Sequence, residues 1–311
     1  MRKRSTLLAG LLLVSGIPLV LAPSCTITLV TPEMVTSTET RNVTLPAGAS
    51  VVVSNELGTT KVQVEETATQ ATVQIVRVAY AASEEDAEDL LTQMEVTITE
   101  PTGGDNRLVV AAKAVEGATS DEGKFNMVVN DDDVVITSVF SRARVAKYRI
   151  TVTLPPGHGV EVTQKVGLVK AGGLDTASTL DGAAATVVAE GCTAALTANA
   201  DAGDVKVTSH SGSLNATVSA GSAVIDIAAL AADDVVDVAI DAGSIDIDLP
   251  AGVAADLDAA ASIGSVHFDK TGFTAVTVTT DTLTHVVAKL NGGGAEINLQ
   301  TDVGNIIIDS R

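Results

Sequence analysis

Asp201 to Gly252 reads DAGDVKVTSHSGSLNATVSAGSAVIDIAALAADDVVDVAIDAGSIDIDLPAG, and its apolar residues fall at every second position in short runs. The runs are Val205 and Val207; Leu214, Ala216 and Val218; Ala223, Ile225 and Ile227; Val236, Val238 and Ile240; and Ile245, Ile247 and Leu249. A period of two belongs to a strand with one buried face, not to a helix. Glycine or another small residue breaks each run, and the next run follows.

The glycines keep a rhythm on both sides of this stretch. Gly182, Gly203, Gly221, Gly243 and Gly264 follow one another at steps of 21, 18, 22 and 21 residues, and Gly304 comes 40 later. A unit of about 20 residues cannot bury its own apolar face, so neighbouring units must stack, with glycine turning the corners. The fold class expected is all-β: a parallel β-solenoid, or β-helix, over residues 155–311. In that register Ile245 and Ile247 point inward and Asp246 outward.

An N-terminal β region, 41–154, precedes the repeat. Its strands begin at Val43 and include Val62 to Val64, Ala71 to Val78 and Tyr148 to Leu154. Ser83 to Met94, SEEDAEDLLTQM, is the one helix expected there. Ser83 is placed to cap it, Asp86 stands in the capping-box position, and Glu84, Glu85 and Asp86 complement the positive end of the dipole. Leu90, Leu91 and Met94 form its apolar side. Asn130 to Asp133 is acidic but lacks the alternating acids, glycine and terminal glutamate of a calcium loop, and it reads as a solvated turn. Arg142, Arg144, Lys147 and Arg149 read as the outward side of a strand whose Tyr148, Ile150, Val152 and Leu154 face in.

The amino terminus carries an address. Arg2, Lys3 and Arg4 precede an apolar run from Leu7 to Ala22, which leads into Pro23-Ser24-Cys25. This is the layout of an export signal over residues 1–24. Its 16 apolar residues fall short of the roughly 20 that cross a bilayer as a helix. The segment resembles a bacterial lipoprotein signal, in which Cys25 would be the lipidated residue; as the alternative, Ala22 and Ser24 also satisfy ordinary secretory cleavage, which would leave a secreted or periplasmic chain. Residues 25–40 are threonine-rich and read as a tether.

Composition excludes several functions. The 311 residues are 46% hydrophobic, yet include four Phe, two Tyr and no Trp, and the formal net charge is -20. The core is therefore aliphatic, and platforms for stacking bases are missing. The charge repels a phosphate backbone, so no nucleic-acid partner is expected. With Cys25 and Cys192 the only cysteines, no disulfide framework is expected, and Cys192 reads as a small core residue.

The order of Val62-Gln-Val64 after Gly58, Tyr148-Arg-Ile-Thr-Val-Thr-Leu-Pro155, Gly203-Asp-Val-Lys-Val207, Gly243-Ser-Ile-Asp-Ile-Asp-Leu-Pro250, Gly264-Ser-Val266 and Ile297-Asn-Leu-Gln-Thr-Asp-Val-Gly-Asn-Ile306 resembles the DUF4097 family of bacterial adhesin-type β-helix domains. The resemblance covers roughly residues 43–311 and implies a cell-envelope surface module. It supplies no catalytic residues.

His158, His210, His267 and His285 are scattered, and neither a zinc motif, a nucleophile elbow nor a phosphate loop occurs. No catalytic residue and no cofactor are expected. Asp226, Asp237, Asp246, Asp248, Asp256 and Asp258 are outward acids of the repeat. Asp246 and Asp248 are the candidates for calcium, which could bridge to acids on a neighbouring unit. Two readings result: a non-enzymatic, membrane-tethered envelope module acting as an adhesin or interaction protein toward an envelope protein or glycan, and, as the alternative, a β-helix polysaccharide hydrolase or lyase.

Overall fold

The computed structural model describes residues 29–30, 33–115, 125–129, 133–140 and 144–311. The expected export signal, Cys25 and residues 26–28 of the tether lie outside them, as does Arg142. The N-terminal elements are β1 (Leu29–Val30), β2 (Glu33–Val43), β3 (Ser50–Val64), β4 (Ala71–Ala81), α1 (Glu84–Gln93), β5 (Val96–Thr99), β6 (Arg107–Ala112), β7 (Phe125–Val129), β8 (Val134–Phe140) and β9 (Val145–Leu154). There follow β10 (Val160–Gly172), β11 (Ser178–Glu190), β12 (Leu196–Ala202), β13 (Val205–Ser211), β14 (Leu214–Ala220) and β15 (Ala223–Ala229). The last are β16 (Val235–Ala242), β17 (Ile245–Leu249), β18 (Ala255–Phe268), β19 (Val276–Asp281), β20 (His285–Leu290) and β21 (Ala295–Ser310).

The sheet does not form the open solenoid expected from the repeat. Its pairings return on themselves: β11–β12–β14–β16–β21–β17–β15–β13 and back to β11, eight strands and every pair parallel. The result is a closed parallel β-barrel with extra strands. Closure comes from two long strands. Ser178–Gly182 of β11 pairs with β12 and Val187–Glu190 with β13. At the opposite side, Glu296 to Val303 of β21 pairs with β16 and Ile306 to Ser310 with β17. Stacking also departs from chain order, because the last strand, β21, lies between β16/β17 and β18. β18, β19 and β20 form antiparallel pairs outside it and cover that edge, one way in which β-proteins avoid open pairing.

The extra strands on the other side hang on β3, which pairs in parallel with β6, β9 and β10. β4 joins β9 to β2 through antiparallel ladders. Glu33 to Thr40, expected as tether, thus belong to β2. α1 forms where its sequence places it: the Ser83 hydroxyl accepts the Asp86 N–H at 3.2 Å, and Leu90 and Met94 are buried.

The inward face follows the alternation. In β17, Ile245, Ile247 and Leu249 are buried while Asp246 is exposed. These side chains join a large, mainly aliphatic core, which also takes in Cys192.

Candidate binding faces

The faces are set by a column of close backbone contacts at one corner. Gly58, Gly167, Gly203, Gly221, Gly243, Gly304 and Gly264 each approach a neighbouring strand so closely that a Cβ would lie 1.5–2.2 Å from a carbonyl oxygen. Gly182 is not in this column; Ala185 holds the place, beneath Gly203. With glycine at the corner the chain bends sharply, and each repeat gives one strand to either side of the core.

The side formed by β10, β11, β12, β14, β16 and β21 carries a polar face. One outward column runs Glu161, Thr179, Thr197, Asn215, Asp237 and Asn298 in pairing order. The column two residues on runs Thr163, Asp181, Asn199, Thr217, Ala239 and Gln300. Three of its members are linked: Asn199 Nδ2 donates to Asp181 Oδ1 at 2.7 Å and Thr217 Oγ1 to Asn199 Oδ1 at 2.5 Å. In the first column, Asn298 Nδ2 donates to Asp237 Oδ1 at 2.7 Å. Thr179, Thr197 and Asn215 make no side-chain hydrogen bond to any described residue. Along this column an open groove of about 440 Å³ is lined by Glu161, Thr179, Thr197, Asn215 and Asp237, with no Lys, Arg or His among the described residues of its walls. Attention to the acidic residues alone misses this face. The signal for it is the 18-residue step that carries Thr179 to Thr197 to Asn215 and Asp181 to Asn199 to Thr217.

The opposite side has a different outward column: Lys61, Lys170, Val188, Lys206, Val224 and Asp246, followed by Ile307. Beside it stand Asp226, Asp248 and Asp309, paired in that order. The outward acids of the repeat are therefore divided between the two sides, since Asp237, Asp256 and Asp258 belong to the first. Asp246 and Asp248 share one strand, but Asp246 has Val224 and Ile307 as cross-strand neighbours rather than acids. Burial pushes the Asp246 carboxyl up, and the charges of Asp248 and Asp309 add to this. Asp226 is bound by Arg311 at 2.7 Å. Among the described residues no group of three or more His, Cys, Asp or Glu side chains is placed to hold a metal ion.

Lys147, expected to face solvent, is fully buried: its ammonium meets the Val134 carbonyl and lies 3.1 Å from Asp133 Oδ2. Burial pushes the Lys147 pKa down, against the pull of Asp133. Arg149 sits 2.5 Å from the same carboxylate and does remain exposed, while Tyr148, Ile150, Val152 and Leu154 are inside as the alternation requires. Asp133 is thus an ion-pair partner rather than part of a solvated turn; Asn130 to Asp132 lie outside the described residues. Burial raises the Tyr148 phenol to about 12, and its hydroxyl donates to the Lys113 carbonyl at 2.8 Å. His267 is exposed, His285 reaches Asp258 at 2.9 Å, His158 is buried against the Ala49 carbonyl, and His210 is fully buried. No described helix is long and apolar enough to cross a membrane.

No family model matches the chain, and no curated protein does. Among solved structures it is similar to one described as a putative cell adhesion protein from Clostridium sporogenes, at 12% identity and a TM-score of 0.37, covering 90% of this chain and all of that one. A putative adhesin from Bacteroides fragilis is similar at 16% identity and a TM-score of 0.37, over 88% of this chain and 97% of the other. A putative adhesin from Parabacteroides distasonis is similar at 11% identity and a TM-score of 0.24, over 89% and 97%.

Proposed function

We propose that the chain is a non-catalytic adhesive module of the cell envelope, whose polar face takes a neutral, hydroxyl-rich glycan. The observation that carries this reading is the open groove over Thr179, Thr197 and Asn215, whose hydroxyl and amide groups have no partner among the described side chains. Such groups both donate and accept hydrogen bonds, as sugar hydroxyls do. The carboxylates Glu161 and Asp237 and the lack of cations in the walls favour neutral over acidic sugars. Without aromatic stacking each contact is weak, and adhesion then rests on many copies acting together at a surface.

The spacing of the groove's carboxylates supports binding rather than hydrolysis. Glu161 and Asp237 are four strand steps apart, roughly 19 Å at about 4.8 Å per step. Glycosidases that use two carboxylates hold them within about 5–10 Å.

Export and a lipid at Cys25 would supply the surface display, as the basic start and apolar run of residues 1–24 suggest. Cys25→Ser should then release the chain from membranes and abolish labelling by a fatty-acid probe; equal membrane retention of both forms defeats the tether. A glycan array probed with the purified chain tests the binding role, with signal on neutral oligosaccharides expected. An array without signal contradicts it.

A further inference from the structure

The groove is periodic. At each rung a small residue stands behind it and a polar one in front: Ala177 and Thr179, Ala195 and Thr197, Ser213 and Asn215, at steps of 18 residues. Glu161 and Asp237 extend the front by one rung at either end. The front is in strict register, with Thr197 paired to Thr179 on one side and to Asn215 on the other. The back keeps the same step, because the Ser178 N–H donates to the Ala195 carbonyl at 3.1 Å and the Leu196 N–H to the Ser213 carbonyl at 3.0 Å. Parallel strands place successive rungs about 4.8 Å apart. Rung-to-rung hydrogen bonds in the neighbouring column, from Asn199 to Asp181 and from Thr217 to Asn199, hold the front straight, so its shape is set before a ligand arrives.

A site that repeats along its length fits a ligand that does the same. We propose, resting on the reading of this groove as a glycan site, that its ligand is a linear neutral polysaccharide of pyranoses joined by equatorial 1,4 linkages. The chain lies across the strands with one sugar to each rung, from Glu161 to Asp237. Those four steps measure roughly 19 Å, several times the width of one sugar. An equatorially linked pyranose advances by the length of its ring and one bridging oxygen, which is close to one rung, so successive sugars keep pace with successive side chains. Adjacent sugars in such a chain turn opposite edges to the wall, and the threonine hydroxyls and the asparagine amide, which both donate and accept, serve either edge. An extended peptide, at about 3.3 Å per residue, slips by about 1.5 Å at every residue and loses the register at once. A chain with axial 1,4 linkages curves and leaves the straight line of the rungs.

Calorimetry of the purified full chain with β-1,4-linked gluco-, manno- and xylo-oligosaccharides of two to eight units tests this, with α-1,4-linked gluco-oligosaccharides as the curved control. For at least one β-linked series, affinity should rise with each added sugar up to about five, one per rung, and level off beyond. The α-linked pentasaccharide should bind at least ~10-fold more weakly than the β-linked one, since fewer of its sugars reach a rung. Ala195→Phe fills the middle of the groove and should hold the β-linked pentasaccharide to the affinity of the disaccharide. Should Ala195→Phe lower the melting temperature, Thr197→Val takes its place and should weaken the pentasaccharide about 2- to 10-fold, as one lost hydrogen bond implies. Affinity that is equal at all lengths, or equal for the two linkages, overturns this inference and leaves the glycan role of the groove standing. Silence of every β-linked series beside an array that lights up on other neutral glycans does the same, whereas a silent array overturns both.

Discussion

Gly243 packs on Gly221 so closely that a Cβ at Gly243 would stand 1.5 Å from the Gly221 carbonyl oxygen. The obstacle is backbone on both sides, and Gly243 also has φ of +150°, where a side chain is strained regardless of space. Gly243→Ala should therefore cost on the order of 2–4 kcal/mol, combining overpacking with backbone strain. Ala185→Gly, at the place in the same column that already tolerates a Cβ, should cost only about 1 kcal/mol. Urea unfolding of both variants checks the contrast.

Within one strand, the inward and outward positions should separate cleanly. Ile247 is fully buried, and Ile247→Ala should cost about 2–5 kcal/mol. Asp246→Asn should instead raise the melting temperature at neutral pH. The Asp246 pKa is raised in the folded chain, so the native state favours the protonated acid: that contribution is present below the unfolded value near 3.8 and is lost as pH rises through the folded value. The gain from Asp246→Asn should accordingly vanish in melts near pH 3.

His210 should make stability fall on mild acidification. It stands at the turn where Leu174 and Cys192 occupy the equivalent buried places 36 and 18 residues earlier, and its Nδ1 has no hydrogen-bond partner among the described residues while Nε2 lies 3.2 Å from the Ser213 carbonyl. Burial lowers its pKa, against weaker raising effects from nearby carbonyls and Asp234. The unfolded chain thus takes up the proton first: stability is full above about 6.5 and declines as pH falls from there toward the folded value. Denaturant titrations at pH 7 and pH 5.5 should show the decline in wild type, and His210→Leu should flatten it.

The parts of this architecture that were legible in the sequence are those set locally. Alternation shows which of Ile245, Asp246 and Ile247 faces the core, and the Ser83 cap marks the start of α1. The 18- and 22-residue steps are the parallel registers of β13 on β15 and β15 on β17. Closure was not legible. Whether the 235–249 unit stacks on the next segment or on the last one depends on how β18 and β20 pair around β21, and no local pattern distinguishes those partners. Burial of Lys147 is illegible for a related reason: alternation along β9 says nothing of Asp133 and Val134, which come from another segment and cover it. The polar face was overlooked because threonine and asparagine at outward strand positions look ordinary one by one; only the pairing aligns them.

A glycan held in the groove over Thr179, Thr197 and Asn215 must depend on the hydroxyl groups of that groove. Calorimetric titration of an array-selected neutral oligosaccharide into wild type and into a Thr179→Val/Thr197→Val variant tests it most directly, with product analysis of the same samples. The account predicts a weakening of at least ~10-fold in the variant, as a few lost hydrogen bonds of about 0.5–1.5 kcal/mol each imply, with melting unchanged and the oligosaccharide recovered intact. Equal affinity of the two proteins, or cleavage of the oligosaccharide, would contradict it.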